Sequence, residues 1–188
     1  MIYFLSDTHF NHDKPFIYGP RGFGSVADAD NATINNWNRI VGNSDEIYML
    51  GDFFMGADLE YIEDVLDILH GKIHLILGNH DTPNKVRIYE TYPKIVEIVN
   101  AKRFDYQKRK LYLSHYPTIT TNYNEDPAKA VYNIHGHIHT KNKFYGGSPY
   151  MYNVSCDAQN NTPVSIDQVM LDIDNQLEEY SKDFDWYD

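Results

Sequence analysis

The sequence predicts an α/β protein with mixed strand pairing in two sheets. Short apolar runs of four to six residues recur along the chain, separated by polar, Gly- and Asn-rich turns. Helical patterns lie between the early runs, which is the alternation of an α/β architecture. The later runs follow one another without long helices between them, which points to mixed pairing and a second sheet.

The elements can be justified in order. "IYFL" (2–5), "EIYML" (46–50) and "IHLIL" (73–77) are nearly continuous apolar runs, as expected of strands buried on both faces. Between the first two, "SVADADNATINNWNRIV" reads as a helix that opens at Ser25, an N-capping hydroxyl, and runs to Val41. Between the second and third, "ADLEYIEDVLDILHG" carries apolar residues at 59, 62, 65, 66 and 69, with His70 in the last turn and Gly71 as the stop. "KLYLS" (110–114), "VYNI" (131–134) and "MYNV" (151–154) are the later strands. "SIDQVMLDIDNQLEEYSKDF" combines a strand and a helix in either order, and the acidic tail around Trp186 reads as a frayed end with the indole docked or exposed.

Length and composition bound the function. The 188 residues fit one domain, 1–188, large enough to bury a core without help from a metal. No stretch approaches the ~20 apolar residues of a membrane span. "MIYFLSDTHF" lacks the basic start of a signal peptide. One cysteine, Cys156, permits no internal disulfide; it reads as a small buried residue and fits a reducing cytoplasm. A net charge of −11 disfavours nucleic acid and anionic membranes as partners. It leaves room for a small phosphorylated substrate if bound cations offset the charge locally. Nothing in the composition sets the oligomeric state.

Five of the strands run into polar clusters. The first leads to Asp7, His9 and His12, the second to Asp52, and the third to Asn79, His80 and Asp81. The fourth leads to His115, and the fifth to His135, His137 and His139, whose alternation puts three imidazoles on one face of an extended segment. Ligands of open α/β sheets bind beyond the carboxyl ends of the strands, so these clusters can converge on one crevice. Mixed nitrogen and oxygen donors without a thiolate suit Mn, Fe, Co, Ni or Zn rather than a Ca or Mg cage.

Taken in order, "DTH", "GD", "GNHD", "SH" and "GHIH" resemble the five-block signature of the calcineurin-like metallophosphoesterases. The wider chain, with "SDTHFNH", "NNWN", "GDF" and "NTPVS", resembles a small bacterial and phage branch of that superfamily. The resemblance implies a four-layer αββα sandwich of two mixed sheets flanked by helices, with a binuclear metal centre on one edge. It implies two divalent transition-metal ions, Mn²⁺ or Fe in the cell and Ni²⁺ or Zn²⁺ after purification. Asp7, His9, Asp52 and His139 would hold one ion; Asp52 as the bridge, Asn79, His115 and His137 would hold the other. His80 would be the acid or transition-state stabiliser, steered by Asp81. The implied activity is hydrolysis of phosphate esters by a metal-bridging hydroxide, with diesters of small molecules or nucleotides ahead of monoesters. A nuclease and a catalytically silent interaction scaffold are the alternatives.

The chain departs from some relatives at "GDFFMG", where Phe54 and Met55 stand in place of an Asp and a phosphate-binding Arg. That argues against a phosphoprotein substrate. Arg21 of "GPRGF" could replace the missing cation or be a solvated loop residue, and His12 is a second candidate for phosphate contact. His135 reads as packed behind the centre and His74 as structural. Tyr116, Tyr123, Tyr145 and Tyr150 could line a pocket or cover strand edges.

Overall fold

The computed structural model describes residues 1–56, 58–121, 126 and 128–182, so Tyr123 and Trp186 lie outside the described residues. The chain begins with β1 (Ile2–Leu5), α1 (Pro15–Tyr18), α2 (Val26–Ile40), β2 (Glu46–Met49), α3 (Leu59–Ile68) and β3 (Lys72–Ile76). It continues with α4 (Pro83–Tyr89), β4 (Ile95–Val99), β5 (Ala101–Tyr106), β6 (Arg109–Ser114) and β7 (Val131–His135). A 3₁₀ turn at Tyr145–Gly147 precedes β8 (Met151–Asn153), β9 (Val164–Ser165) and α5 (Ile166–Lys182). No helix among the described residues is long and apolar enough to cross a membrane.

The strands form two mixed sheets. The first has the order β4-β3-β2-β1-β9, parallel except for β9; the second has the order β5-β6-β7-β8, with only β5 antiparallel to its neighbour. Period-two alternation gives each face of the first sheet its own core. Leu5, Ile47, Met49, Ile73 and Leu75 join Trp37, Leu66 and Tyr89 from α2, α3 and α4 in one cluster. Phe4 and Tyr48 point the other way, into a cluster with Leu111, Leu113, Tyr132, Ile134 and Tyr152 of the second sheet and Val169 and Ile173 of α5. Tyr48 stacks on Phe104 across the gap, with ring centroids 5.5 Å apart. The result is the expected sandwich of two mixed sheets with helices.

Local chemistry explains the helix ends. Ser25 Oγ caps α2 by accepting the Asp28 N–H at 3.1 Å. α3 stops at Ile68, two residues earlier than the sequence suggests. His70 therefore lies beyond the helix, where its Nδ1 donates to the Val41 carbonyl at 3.2 Å. The C-terminal segment resolves as strand, then helix. His74 is structural: it is bonded by Glu46 and Glu97 and stacks on Tyr48.

At the carboxyl ends of the strands the two sheets are tied together. The Ser6 N–H donates to the Val154 carbonyl and the Cys156 N–H to the Ser6 carbonyl, both at 3.0 Å, so the chain after β8 runs beside the end of β1. Cys156 is buried at this junction.

Candidate metal centre

The junction is built from strained turns. Asp7 (φ 56°), His9 (φ 48°), Asp52 (φ 54°), His137 (φ 74°) and His139 (φ 40°) all adopt left-handed backbone conformations. Such residues are uncommon outside glycine and gather where surrounding structure over-determines them, at functional sites above all. Here the turns brace one another: Asp7 N–H donates to the Gly51 carbonyl, His9 N–H to that of Asp52 and Phe10 N–H to that of Phe53, each at 3.0 Å. Gly51 (φ 86°) must be glycine, because a Cβ there would lie 2.6 Å from His115 Nδ1 and from the Gly78 nitrogen. A Cβ on Gly136 would lie 2.3 Å from Asp7 Oδ2.

These turns gather two donor groups: Asp7, His9 and His139 in one, Asp52, His115 and His137 in the other, with the candidate ligand atoms of each group within 4.8 Å of one another. Asp52 Oδ2 stands between them, 3.6 Å from His9 Nε2 and 3.5 Å from His115 Nε2. His9 Nε2 and His139 Nε2 are 3.2 Å apart. His115 Nε2 lies 3.0 Å from Asn79 Oδ1 and 3.2 Å from His137 Nδ1. The sequence-derived ligands Asp7, His9, Asp52, Asn79, His115, His137 and His139 are thus neighbours in space.

The donor chemistry fits two cations. Asp7 Oδ1 is buried with no hydrogen-bond partner among the described residues, and burial raises its carboxyl; a facing cation would satisfy the oxygen and favour its ionised form. Two of the ring orientations are set from behind, as those of metal-ligating imidazoles usually are. His115 Nδ1 donates to the Leu50 carbonyl at 2.9 Å, and His139 Nδ1 faces Asp157 Oδ2 at 2.9 Å, which leaves both Nε2 atoms turned inward. Burial pushes the His9 imidazole down to about 3, so it stays neutral, as a ligand must. Burial would lower His115 too, but Asp52 and Asp7 outweigh it and raise the imidazole to about 9, so a cation bound there would take the place of a proton between it and the carboxylates. Burial alone would raise the Asp52 carboxyl; His115 and the His80 N–H hold it at about 2.

Other residues fall into place around this centre. The His80 ring is 39% exposed, with Nε2 4.0 Å from Asp52 Oδ2, so it stands at the mouth of the site. Asp81 does not steer that ring, contrary to the sequence reading. Its carboxylate accepts the backbone N–H groups of Asp52, Phe53 and Gly78 and the Tyr89 hydroxyl, which occupies both oxygens. It braces the Asp52 turn instead. Arg21 is also corrected. Its guanidinium is 3% exposed, pairs with Asp157 through Nε and NH2, and caps the Asp7 carbonyl at 2.8 Å. It therefore supports the centre from behind, through Asp157 and the Asp7 backbone, and is neither solvated nor turned to a substrate phosphate. His12 lines the cleft with His80. His135 is fully buried and its Nδ1 donates to the Gly136 carbonyl.

Two residues escaped the sequence reading. Asp157 links Arg21 to His139 and sits just past β8, a sixth strand end beside the five that were read. Lys85 is a buried ammonium on α4 whose Nζ donates to the carbonyls of Phe54 and His80, joining the two loops. No pattern in the sequence marks it, because both partners are backbone atoms.

A cleft of about 430 Å³ opens beside the centre, lined by His9, His12, His80 and His139 and by Phe16, Ile17, Pro20 and Met55. On the other side, Tyr116 packs 4.7 Å from the His137 ring.

Residues 1–176 match the model of the calcineurin-like phosphoesterase superfamily domain. The chain is 32% identical over 175 residues to the uncharacterized protein MJ1445 of Methanocaldococcus jannaschii, with 90% of this chain and 89% of that one covered. It is 27% identical over 166 residues to the Gene 66 protein of Mycobacterium phage L5, covering 73% and 77% respectively. In structure it is similar to the protein of unknown function AQ665 from Aquifex aeolicus, with a TM-score of 0.70, 25% identity, and coverage of 91% of this chain and 98% of that one.

Proposed function

The chain belongs to the calcineurin-like phosphoesterase superfamily, and from that premise we propose that it binds two divalent transition-metal ions and hydrolyses small phosphate esters, diesters ahead of monoesters. The observation that carries this reading is Asp52 Oδ2, flanked at 3.6 Å and 3.5 Å by imidazole nitrogens of the two donor groups. Asp7, His9, Asp52 and His139 would hold one ion; Asp52, Asn79, His115 and His137 would hold the other. Bound there, the ions would neutralise phosphoryl charge and acidify an attacking water. Mn²⁺ or Fe is the proposed native pair, in a cytoplasm that keeps Cys156 reduced.

The protein's own groups would do the rest. The buried turns fix the donors before substrate arrives, so little reorganisation is needed. Hydrolysis adds hydroxyl to phosphorus and a proton to the leaving oxygen. His80, at the mouth of the site with its ring partly exposed beside His9 and Asp52, is placed to supply that proton. Asp81 and Lys85 hold the loops that carry Asp52 and His80, and Asp157 holds His139. A scaffold would have no need of this complete donor set, and the charge of −11 opposes a nuclease.

The test is a screen of the Mn²⁺-loaded protein against chromogenic mono- and diesters, then cyclic and linear nucleotides. Turnover of diesters above monoesters is expected. A loaded protein that hydrolyses none of them would overturn the small-ester reading.

A further inference from the structure

We infer that Phe16, Ile17, Pro20 and Met55 form a leaving-group subsite that takes a flat aromatic ring. The inference rests on the phosphoesterase reading of the adjacent centre. α1 reads "PFIY" and buries none of its residues; Phe16 is 69% exposed. A solvated connection has no use for such a run. Here Phe16, Ile17, Pro20 and Met55 instead line one cleft with His80 and the ligands His9 and His139. Apolar side chains that line a cleft beside a few convergent polar groups are the composition of a small-molecule site.

Position decides which part of the substrate the face would meet. His80 lines the same cleft. If it protonates the leaving oxygen, the group on that oxygen extends over these four side chains. The Phe16 ring is held with its edge to the His12 ring, centroids 5.8 Å apart and planes at 85°. Pro15 at the start of α1 restricts the backbone beneath it. A rigid phenyl ring and a pliable thioether suit another ring. The four side chains carry no charge, no N–H and no O–H, and the one acid of the lining, Asp157, is engaged by Arg21 and His139. The ring is therefore read by its face, and nucleobases should not be told apart. An aryl group and a nucleobase share this chemistry.

The test is calorimetry on the Zn²⁺-loaded protein with methylphosphonate, phenylphosphonate and an adenosine phosphonate. Phenylphosphonate should bind on the order of tenfold tighter than methylphosphonate. In Phe16→Ser the excess should fall within about twofold, with methylphosphonate affinity and zinc content unchanged. The methyl resonances of Ile17 and Met55 should move upfield with whichever ring-bearing ligand gains affinity and stay in place with methylphosphonate. A matching gain for the adenosine ligand assigns nucleobases; a gain for phenyl alone assigns aryl groups; either supports the subsite. Equal affinity of the three ligands would overturn it. So would an excess that survives Phe16→Ser, or one that collapses in Tyr116→Ser instead. Ring-dependent binding without hydrolysis of any ester would sink the proposed activity and leave the subsite standing. Hydrolysis without ring preference would do the reverse.

Discussion

Asp52 divides its carboxylate: Oδ1 accepts the His80 N–H at 2.8 Å, while Oδ2 faces both donor groups. Asp52→Asn should weaken both metal sites together and abolish turnover, while cooperative melting persists because the two apolar clusters carry the fold. Elemental analysis and a melting curve check this; two ions at full occupancy in the variant would remove the bridge. His80→Ala should keep both ions and lose turnover by about 10²–10⁴-fold. The loss should be smaller for nitrophenyl esters, whose leaving group needs little protonation, than for alkyl esters. Equal losses on both would argue for charge stabilisation instead of acid catalysis. The candidate ligands were legible because each follows an apolar strand directly. Asp157, Lys85 and the true partners of Asp81 were not, because their roles depend on atoms brought near only by folding: Asp157 is 136 residues from Arg21.

Among the elements, the β5–β6 hairpin turns on Gln107 and Lys108, at φ 47° and 67°, with Tyr106 paired to Arg109. Two-residue turns with both φ positive favour Asn-Gly. The missing signal is why β5 could not be read from the sequence. Replacing Gln107 with Asn and Lys108 with Gly should stabilise the protein by about 1 kcal/mol, and thermal melts should rise by roughly 2–4 °C. α4 escaped for a different reason: at seven residues it is too short to show a helical period. The strands β1, β2 and β3 were legible because burial on both faces demands unbroken apolar runs. On α5, Asp172 accepts from Lys143, Tyr152 and Gln168. Burial would raise its carboxyl, but these donors outweigh it and hold it below the usual range. Its contribution is therefore full above the unfolded pKa of about 4 and fades as pH falls through the lower folded value. The melting gap between the native protein and Asp172→Asn should be open at pH 6 and narrow below about pH 4.

At the scale of the whole molecule, the order of strands matters more than any one of them. Parallel β1, β2 and β3 deliver Asp7, Asp52 and Asn79 to one edge, and β6 and β7 of the other sheet deliver His115, His137 and His139 to the same edge. Each proposed ion thus draws ligands from both sheets. Metal loading should raise the melting temperature, and chelation should lower it without unfolding the chain at 25 °C; differential scanning calorimetry with and without Mn²⁺ measures the difference. Each ion would act as a cross-link. His9 and His139 are 130 residues apart, Asn79 and His115 36, so two ions would staple the sandwich shut across a long loop and a short one. Amide exchange should slow most where the chain after β8 runs beside the end of β1, the seam that such staples hold closed.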